Sequence, residues 1–91
     1  MSYRAVYATA LDRFKNLPHL NSNKEVEKDG YYAPNLYYND GKWHVSWIDS
    51  SEGDVLVDFE GEYIEWAILY AYLWCKKITY QTSLHGLENL T

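Results

Sequence analysis

Hydrophobic and polar positions follow several different patterns along this chain, and each pattern is typical of a different local structure. Over residues 3–17 apolar side chains recur every three or four positions, which predicts an amphipathic helix that ends before Pro18. Residues 18–30 lose this periodicity and predict a polar connection that is either mobile or functional. Between residues 36 and 59 apolar and polar residues alternate, as in strands. Residues 61–77 are apolar nearly all round, which predicts a helix buried on more than one side.

An Asp-Gly pair at residues 40–41 lies between two aromatic stretches, which is a strong indication of a β-hairpin. A two-residue turn there pairs Tyr38 with Trp43 and Leu36 with Val45. The predicted inner face of this hairpin is Leu36, Tyr38, Trp43, Val45 and Trp47, whereas Tyr37, His44 and Ser46 are predicted to point outward.

A second turn, at residues 50–53, leads into the third strand. Pairing Trp47 with Val55 keeps the apolar residues of both strands on one face, and it is therefore the predicted register. The outer face of the third strand would then carry Asp54, Leu56, Asp58 and Glu60. Residues two apart on a strand are separated by roughly 6.8 Å, a repeat of the same order as that of phosphates along a nucleic-acid strand.

The element order is α-β-β-β-α, which predicts an α+β domain with a three-stranded antiparallel sheet packed against two helices. We expect residues 1–91 to form a single domain, with a mobile polar connection at about 18–30 and a C-terminal tail at 78–91 that folds back as a short helical turn. One small sheet cannot cover the apolar second helix. The first helix, the tail or a second copy must cover the remainder, and the last alternative would be a homodimer through residues 62–76.

Composition adds constraints on where the protein works. The chain has 91 residues, 47% of them hydrophobic and 18% aromatic, which is enough for one core and leaves aromatic rings for the surface. Its longest apolar run is ten residues, Trp66–Cys75, and a membrane span needs about 20. The first residues lack the pattern of a signal peptide, and the single cysteine fits a reducing compartment. We therefore expect a cytoplasmic protein that does not enter a membrane.

Charge is segregated along the chain. The net charge is −5, yet no lysine or arginine occurs between Lys42 and Lys76. That stretch carries seven carboxylates: Asp49, Glu52, Asp54, Asp58, Glu60, Glu62 and Glu65. Double-stranded-RNA-binding domains share the α-β-β-β-α order, but they hold phosphates with a basic cluster where this chain is acidic. Direct nucleic-acid binding is therefore not expected.

No arrangement of residues indicates catalysis or metal binding. His19, His44 and His85 are far apart and show no metal-ligand spacing. The acidic turn at residues 49–54 leads straight into a strand, unlike an EF-hand loop. Cys75 lies within the apolar helix, where a cysteine is usually inert packing. We expect a protein that is not an enzyme and binds no metal or cofactor.

The acids and the exposed rings together predict a surface for a protein partner with a basic site. The predicted contact residues are Asp49, Glu52, Asp54, Asp58, Glu60, Glu62, Glu65, Tyr31, Tyr37 and Trp66. In size, acidity, aromatic content and layout the chain resembles small acidic phage counter-defence proteins, including anti-CRISPR proteins. That resemblance implies an inhibitor or adaptor that occludes a nucleic-acid-binding site on a host defence protein, and it carries over no individual residue. The alternative is a dimeric module that binds a small molecule or nucleotide, with only Arg4, Arg13, Lys76 and Lys77 to neutralise phosphates.

Overall fold

The chain folds in the order helix, three strands, helix. The computed structural model describes the backbone of residues 3–89 and the side chains of residues 4–79. Its elements are α1 (Tyr3–Lys15), β1 (Pro34–Asn39), β2 (Lys42–Asp49), β3 (Asp54–Gly61) and α2 (Ile64–Asn89). The strands form one antiparallel sheet in the order β1-β2-β3, so β1 and β3 are its edges. The predicted α+β fold and element order are confirmed.

The β1–β2 hairpin has the predicted register. Both residues of its Asp40-Gly41 turn have positive φ, 51° and 76°, as the tightest hairpin turns require. Tyr38 pairs with Trp43 and Leu36 with Val45. The prediction that Tyr38 is buried is wrong, because 60% of this residue is exposed. It lies next to the turn on β1, whereas α2 packs on β2 and β3.

The β2–β3 register differs from the prediction by two residues. Trp47 pairs with Val57 rather than with Val55. The first residue of this shift arises because all four residues 50–53 lie in the turn, so that Asp49 pairs with Asp54. The second arises from a β-bulge, in which Leu56 is an extra residue of β3. Between the bulge and the β2–β3 turn, the residues of β3 therefore lie on the face of the sheet opposite to the predicted one. Leu56 packs against the core, and Val55 is 53% exposed.

Helix α2 is longer than predicted and begins later. Its first turn is closed by a hydrogen bond from the Ala67 amide to the Tyr63 carbonyl, 3.3 Å long. The predicted bounds of 61–77 are wrong, and residues 78–89 continue the same helix instead of folding back. The lysine pair at 76–77 indicated an end, but lysine is a good helix former and the next ten residues contain one glycine and no proline.

The core lies between the inner face of the sheet and the helix layer. Its buried apolar residues are Ala10 of α1, Leu17 and Leu20 of the connection, Val45 and Trp47 of β2, and Ile64, Ala67, Ile68, Ala71 and Cys75 of α2. The Trp47 ring lies 5.8 Å from the Trp74 ring and 6.5 Å from the Phe59 ring. The Trp47 indole also donates a 3.1 Å hydrogen bond to the Pro18 carbonyl. Helix α1 packs on α2, so the first helix covers part of the apolar second one.

The connection between α1 and β1 is folded on itself by backbone hydrogen bonds. Leu20 is fully buried and exchanges two of these bonds with Tyr32, of 2.9 and 3.1 Å. The Asn21 side chain accepts from the Glu25 amide at 3.0 Å and closes a local turn. Gly30 is required here, because a Cβ at this position would lie 2.6 Å from the Leu20 carbonyl oxygen.

Candidate partner-binding surfaces

A hydrogen-bonded cluster of Tyr37, His44, Ser46 and Asp58, here called the outer-face cluster, covers the middle of the sheet on the side away from the helices. The Tyr37 ring stacks on the His44 ring, with centroids 5.1 Å apart and planes 5° apart. The Ser46 hydroxyl donates to Asp58 and lies 3.1 Å from the Tyr37 hydroxyl. Ser46 is fully buried and His44 is 9% exposed. These residues lie on the predicted outer face, but His44 and Ser46 are buried there among their neighbours.

Both ring nitrogens of His44 face hydrogen-bond acceptors. Nδ1 lies 3.1 and 3.2 Å from the two carboxylate oxygens of Asp58, and Nε2 lies 3.3 Å from the Asn39 carbonyl oxygen. A carbonyl oxygen and a carboxylate only accept, so both contacts are hydrogen bonds at once only when both nitrogens carry a proton. In that form His44 and Asp58 are a part-buried ion pair.

Two residues of the cluster, His44 and Asp58, form a candidate cation site together with the neighbouring Glu60. One ligand atom each from His44, Asp58 and Glu60 lie within 4.8 Å of one another. Each of these side chains already has a partner: Asp58 accepts from His44 and Ser46, and Lys42 Nζ lies 3.3 Å from Glu60. The polar groups of the cluster are therefore satisfied by the protein itself.

The seven acids of the stretch without bases form two groups at opposite ends of β3, about 23 Å apart at the usual rise of a strand. Asp49, Glu52 and Asp54 surround the β2–β3 turn, Glu60, Glu62 and Glu65 lie where α2 begins, and Asp58 lies between the groups. Five of the seven are exposed: Glu52, Asp54, Asp58, Glu60 and Glu62. Because β3 is an edge strand, we call these five residues the acidic edge.

The predicted straight row of outer-face acids is wrong at its start. Asp58 and Glu60 lie on the outer face, opposite Ser46 and His44 of β2. Asp54 lies beyond the bulge and is paired with Asp49, so it belongs to the other face of the strand. A spacing of two residues therefore joins only the last two members of the predicted row.

Asp49 stabilises the turn rather than facing a partner. Its carboxylate accepts hydrogen bonds from the Ser51 hydroxyl at 2.6 Å and the Ser51 amide at 3.1 Å, and from the Tyr32 hydroxyl at 3.5 Å. The Ser51 hydroxyl is the main cause that lowers the pKa of Asp49. Partial burial, followed by the nearby Asp49 charge, raises the pKa of Tyr32.

Glu65 is the other acid with limited exposure. It lies with Arg13 and Trp66 along a groove of about 320 Å³ between α1 and α2. Its Oε2 atom is buried and has no hydrogen-bond partner in the described part of the chain. Glu65 is thus enclosed by the two helices and does not belong to the acidic edge.

The three predicted aromatic contacts lie in three different places. Tyr31 is 74% exposed and packs edge-on against Tyr32, 5.0 Å away, at the turn end of the sheet. Tyr37 belongs to the outer-face cluster, where its ring covers His44. Trp66 is 45% exposed on α2, in the helix layer. The structure does not join these rings into one surface.

The sequence predicted that one small sheet cannot bury all of the apolar second helix, but it did not predict which side of α2 is exposed. Trp66, Tyr70 and Leu73 share one side of the helix, and the ring of Tyr63, the residue before the helix, lies 4.9 Å from the Trp66 ring. These four residues are 45, 47, 53 and 50% exposed, respectively. We call them the helix ridge. Trp74 of the same helix does not belong to the ridge, because it packs on Trp47 and Phe59. Three-and-four spacing among the apolar residues was the sequence signal for this ridge.

A cavity of about 550 Å³ lies between the end of α1, the connection and α2. Its lining is mostly apolar and consists of Asn16, Leu17, Pro18, Val26, Tyr72, Cys75, Lys76 and Thr79. Two cations lie over the Tyr72 ring, Arg13 at 5.3 Å and Lys76 at 5.0 Å from its centroid. Burial raises the pKa of Cys75 to about 11, so its thiol stays neutral at physiological pH.

Comparison of the chain with protein-family models, with curated proteins and with solved structures finds no match. Among the described residues, neither helix has an apolar stretch long enough to cross a bilayer. Function must therefore be argued from the surfaces themselves.

Proposed function

We propose that this protein is a non-enzymatic inhibitor or adaptor that acts by protein–protein contact. Its acidic edge would occupy a basic nucleic-acid-binding site on a cytoplasmic host defence protein, in the manner of anti-CRISPR or anti-restriction proteins. One observation carries the proposal: five exposed carboxylates lie on a single edge strand or within two residues of its ends, in a stretch of chain that contains no lysine or arginine.

Charge on an edge strand has a second role, since it prevents sheets from pairing edge to edge. A few charged side chains are enough for that role, whereas this edge carries acids at both ends of the strand and in its middle. Soluble domains usually intersperse charges of both signs. The one-signed distribution therefore supports recognition of a basic surface, with fast and salt-sensitive association.

The acids of the edge are not equivalent. The carboxylates of Glu52, Asp54 and Glu62 make no hydrogen bond or ion pair within the described part of the chain, so they are free to pair with lysine or arginine of a partner. Asp58 and Glu60 are already bonded, to the outer-face cluster and to Lys42. Binding energy would come mainly from the free acids at the two ends of the strand, and Asp58 and Glu60 would contribute mainly to the surrounding field.

Charge reversal at the turn end tests the proposal. Partners would be captured from host lysate at low and at high salt with three tagged forms of the protein. These are the wild type, the Glu52→Lys/Asp54→Lys variant and the control Glu25→Lys/Glu27→Lys. The control makes the same change in net charge on exposed residues of the connection. Purified candidates would then be assayed for nucleic-acid binding with each form added.

We expect a nucleic-acid-binding protein that is released by salt. The wild type and the control should inhibit its nucleic-acid binding, and the turn-end variant should be at least tenfold weaker. Equal inhibition by all three forms, or a captured partner whose nucleic-acid binding is unaffected, would contradict the proposal.

The cavity beside α2 favours a second candidate function, the binding of a small molecule. Its volume of about 550 Å³ and its apolar lining are typical of ligand sites. Native mass spectrometry of the purified protein would detect a retained ligand. Val26 lines the cavity and is 37% exposed, so Val26→Trp should fill the cavity with a large ring and displace that mass without unfolding the domain. A spectrum that shows only the bare chain would count against this candidate.

A further inference from the structure

The helix ridge is a contiguous, mainly aromatic surface on the open side of α2. Three of its four residues are aromatic, and each of the four is about half exposed. Aromatic side chains bury roughly 150–250 Å² when fully covered, so the ridge presents about 400 Å². Contiguous apolar patches of this size often mark interaction sites. No carboxylate or basic group is among the ridge residues, so they are suited to an apolar partner surface.

The spacing of the ridge makes it complementary to itself. Steps of three, four and three residues repeat the seam of paired helices. When two such seams meet in antiparallel orientation about a two-fold axis level with residue 68, Tyr63 faces Leu73 of the second copy and Trp66 faces its Tyr70. Each exposed ring then packs on an apolar side chain.

Charge beside the ridge selects the antiparallel orientation. Glu62 lies just before α2, and Lys76 and Lys77 follow the last ridge residue; all three are exposed. Glu62 thus lies at the beginning of the ridge and the two lysines lie beyond its end. Antiparallel pairing places Glu62 near Lys76 of the second copy, whereas parallel pairing would place like charges together.

We propose that two copies of this chain associate through their helix ridges in antiparallel orientation. The contact would bury about 800 Å² in total, below the roughly 1,600 Å² of a standard stable interface, so the dimer is weak and its population depends on protein concentration. It assigns Trp66 to self-association rather than to a basic partner. The inference goes beyond the proposed function and does not depend on it.

Analytical ultracentrifugation over a concentration series tests the dimer. The wild type should change from monomer to dimer as its concentration rises, and Tyr70→Glu should weaken dimerisation at least tenfold. Trp66→Glu is a second variant with the same expected result. Tyr31→Glu is the matched control, since it places the same charge on an exposed tyrosine away from the ridge and should leave the dimer unchanged. A wild type that stays monomeric at millimolar concentration, or equal loss in the control, would overturn the proposal.

A charge swap tests the orientation. Glu62→Lys and Lys76→Glu should each weaken the antiparallel dimer severalfold, and the double variant should restore it because the pair is re-formed with its charges exchanged. A double variant no stronger than either single one would exclude this pairing. Circular dichroism confirms in each case that the variant is folded. Failure of this experiment leaves the capture experiment on the acidic edge unaffected, so the two proposals are tested separately.

Discussion

The outer-face cluster predicts that two neighbouring acids of the acidic edge respond very differently to the same substitution. Asp58 accepts hydrogen bonds from the His44 ring and the Ser46 hydroxyl, whereas the Asp54 carboxylate makes none in the described part of the chain. Asp58→Ala should therefore destabilise the fold, and Asp54→Ala should leave it nearly unchanged. On a uniform solvated acidic face the two substitutions would be equivalent.

The magnitude follows from what Asp58→Ala leaves behind. Ser46 is fully buried, but its hydroxyl can still bond to the Tyr37 hydroxyl 3.1 Å away. The Nδ1 atom of His44, in a residue only 9% exposed, loses its partner. A buried group left unsatisfied costs about 1–3 kcal/mol, so we expect a loss of about 2 kcal/mol. For a domain of this size that corresponds to a fall in Tm of roughly 8–16 °C.

Thermal melts followed by circular dichroism measure this difference directly. Asp54→Ala should change Tm by no more than about 4 °C, as is usual for surface substitutions. Asp58→Asn keeps an oxygen acceptor and should fall between the two alanine variants. Equal melting temperatures for Asp58→Ala and Asp54→Ala would refute the reasoning. Charge reversal at Asp58 is for the same reason a poor probe of partner binding, because it also disturbs the fold.

Three further predictions concern single residues. Gly30→Ala should destabilise the fold more than Gly53→Ala in urea unfolding. The Cβ added at residue 30 would lie 2.6 Å from a backbone oxygen, whereas the Cβ added at residue 53 lies in open space and only the positive φ of 74° opposes it. Equal losses of stability would contradict this. Cys75 should react slowly with iodoacetamide at pH 8 in the native state and quickly in urea, since burial raises its pKa to about 11; fast native labelling would show the thiol to be exposed. Ser51→Ala should raise the pKa of Asp49 in an NMR titration, because the Ser51 hydroxyl lowers it. The pKa of Asp49 is lower in the folded state than in the unfolded state. Asp49 therefore stabilises the fold above its unfolded-state pKa, and this stabilisation is lost as the pH falls through its folded-state pKa. The loss of stability in acid should be smaller in Ser51→Ala.

The parts of the fold that could be predicted are those fixed by local stereochemistry. The Asp40-Gly41 turn admits one register, and the β1–β2 pairing follows from it. The predicted β2–β3 register was wrong by two residues, because the turn at residues 50–53 is longer than predicted by one residue and the bulge at Leu56 adds another. Their sum is an even shift, which leaves the main apolar residues on the same face, so hydrophobic alternation could not reveal it.

The candidate surfaces were less predictable, because they depend on contacts between distant residues. His44 and Ser46 look like solvated outward positions until Tyr37 and Asp58, from both flanking strands, enclose them. Trp66 and Trp74 look alike within the apolar helix, yet only the packing of α2 on the sheet determines which is covered. The concentration of acids along residues 49–65 was readable from sequence, but their separation into two groups required the length of β3.

The packing of α1 on α2 has a consequence for synthesis of the protein. Helix α1 is made before the sheet, and α2 after it. On the ribosome the apolar side of α1, including Ala10, therefore stays unpacked until most of the domain has been made, because its partner helix comes last. The β1–β2 hairpin needs only local contacts and can form during that interval. Nascent chains stalled before α2 should therefore hold a formed hairpin beside an unpacked first helix, and they should recruit chaperones.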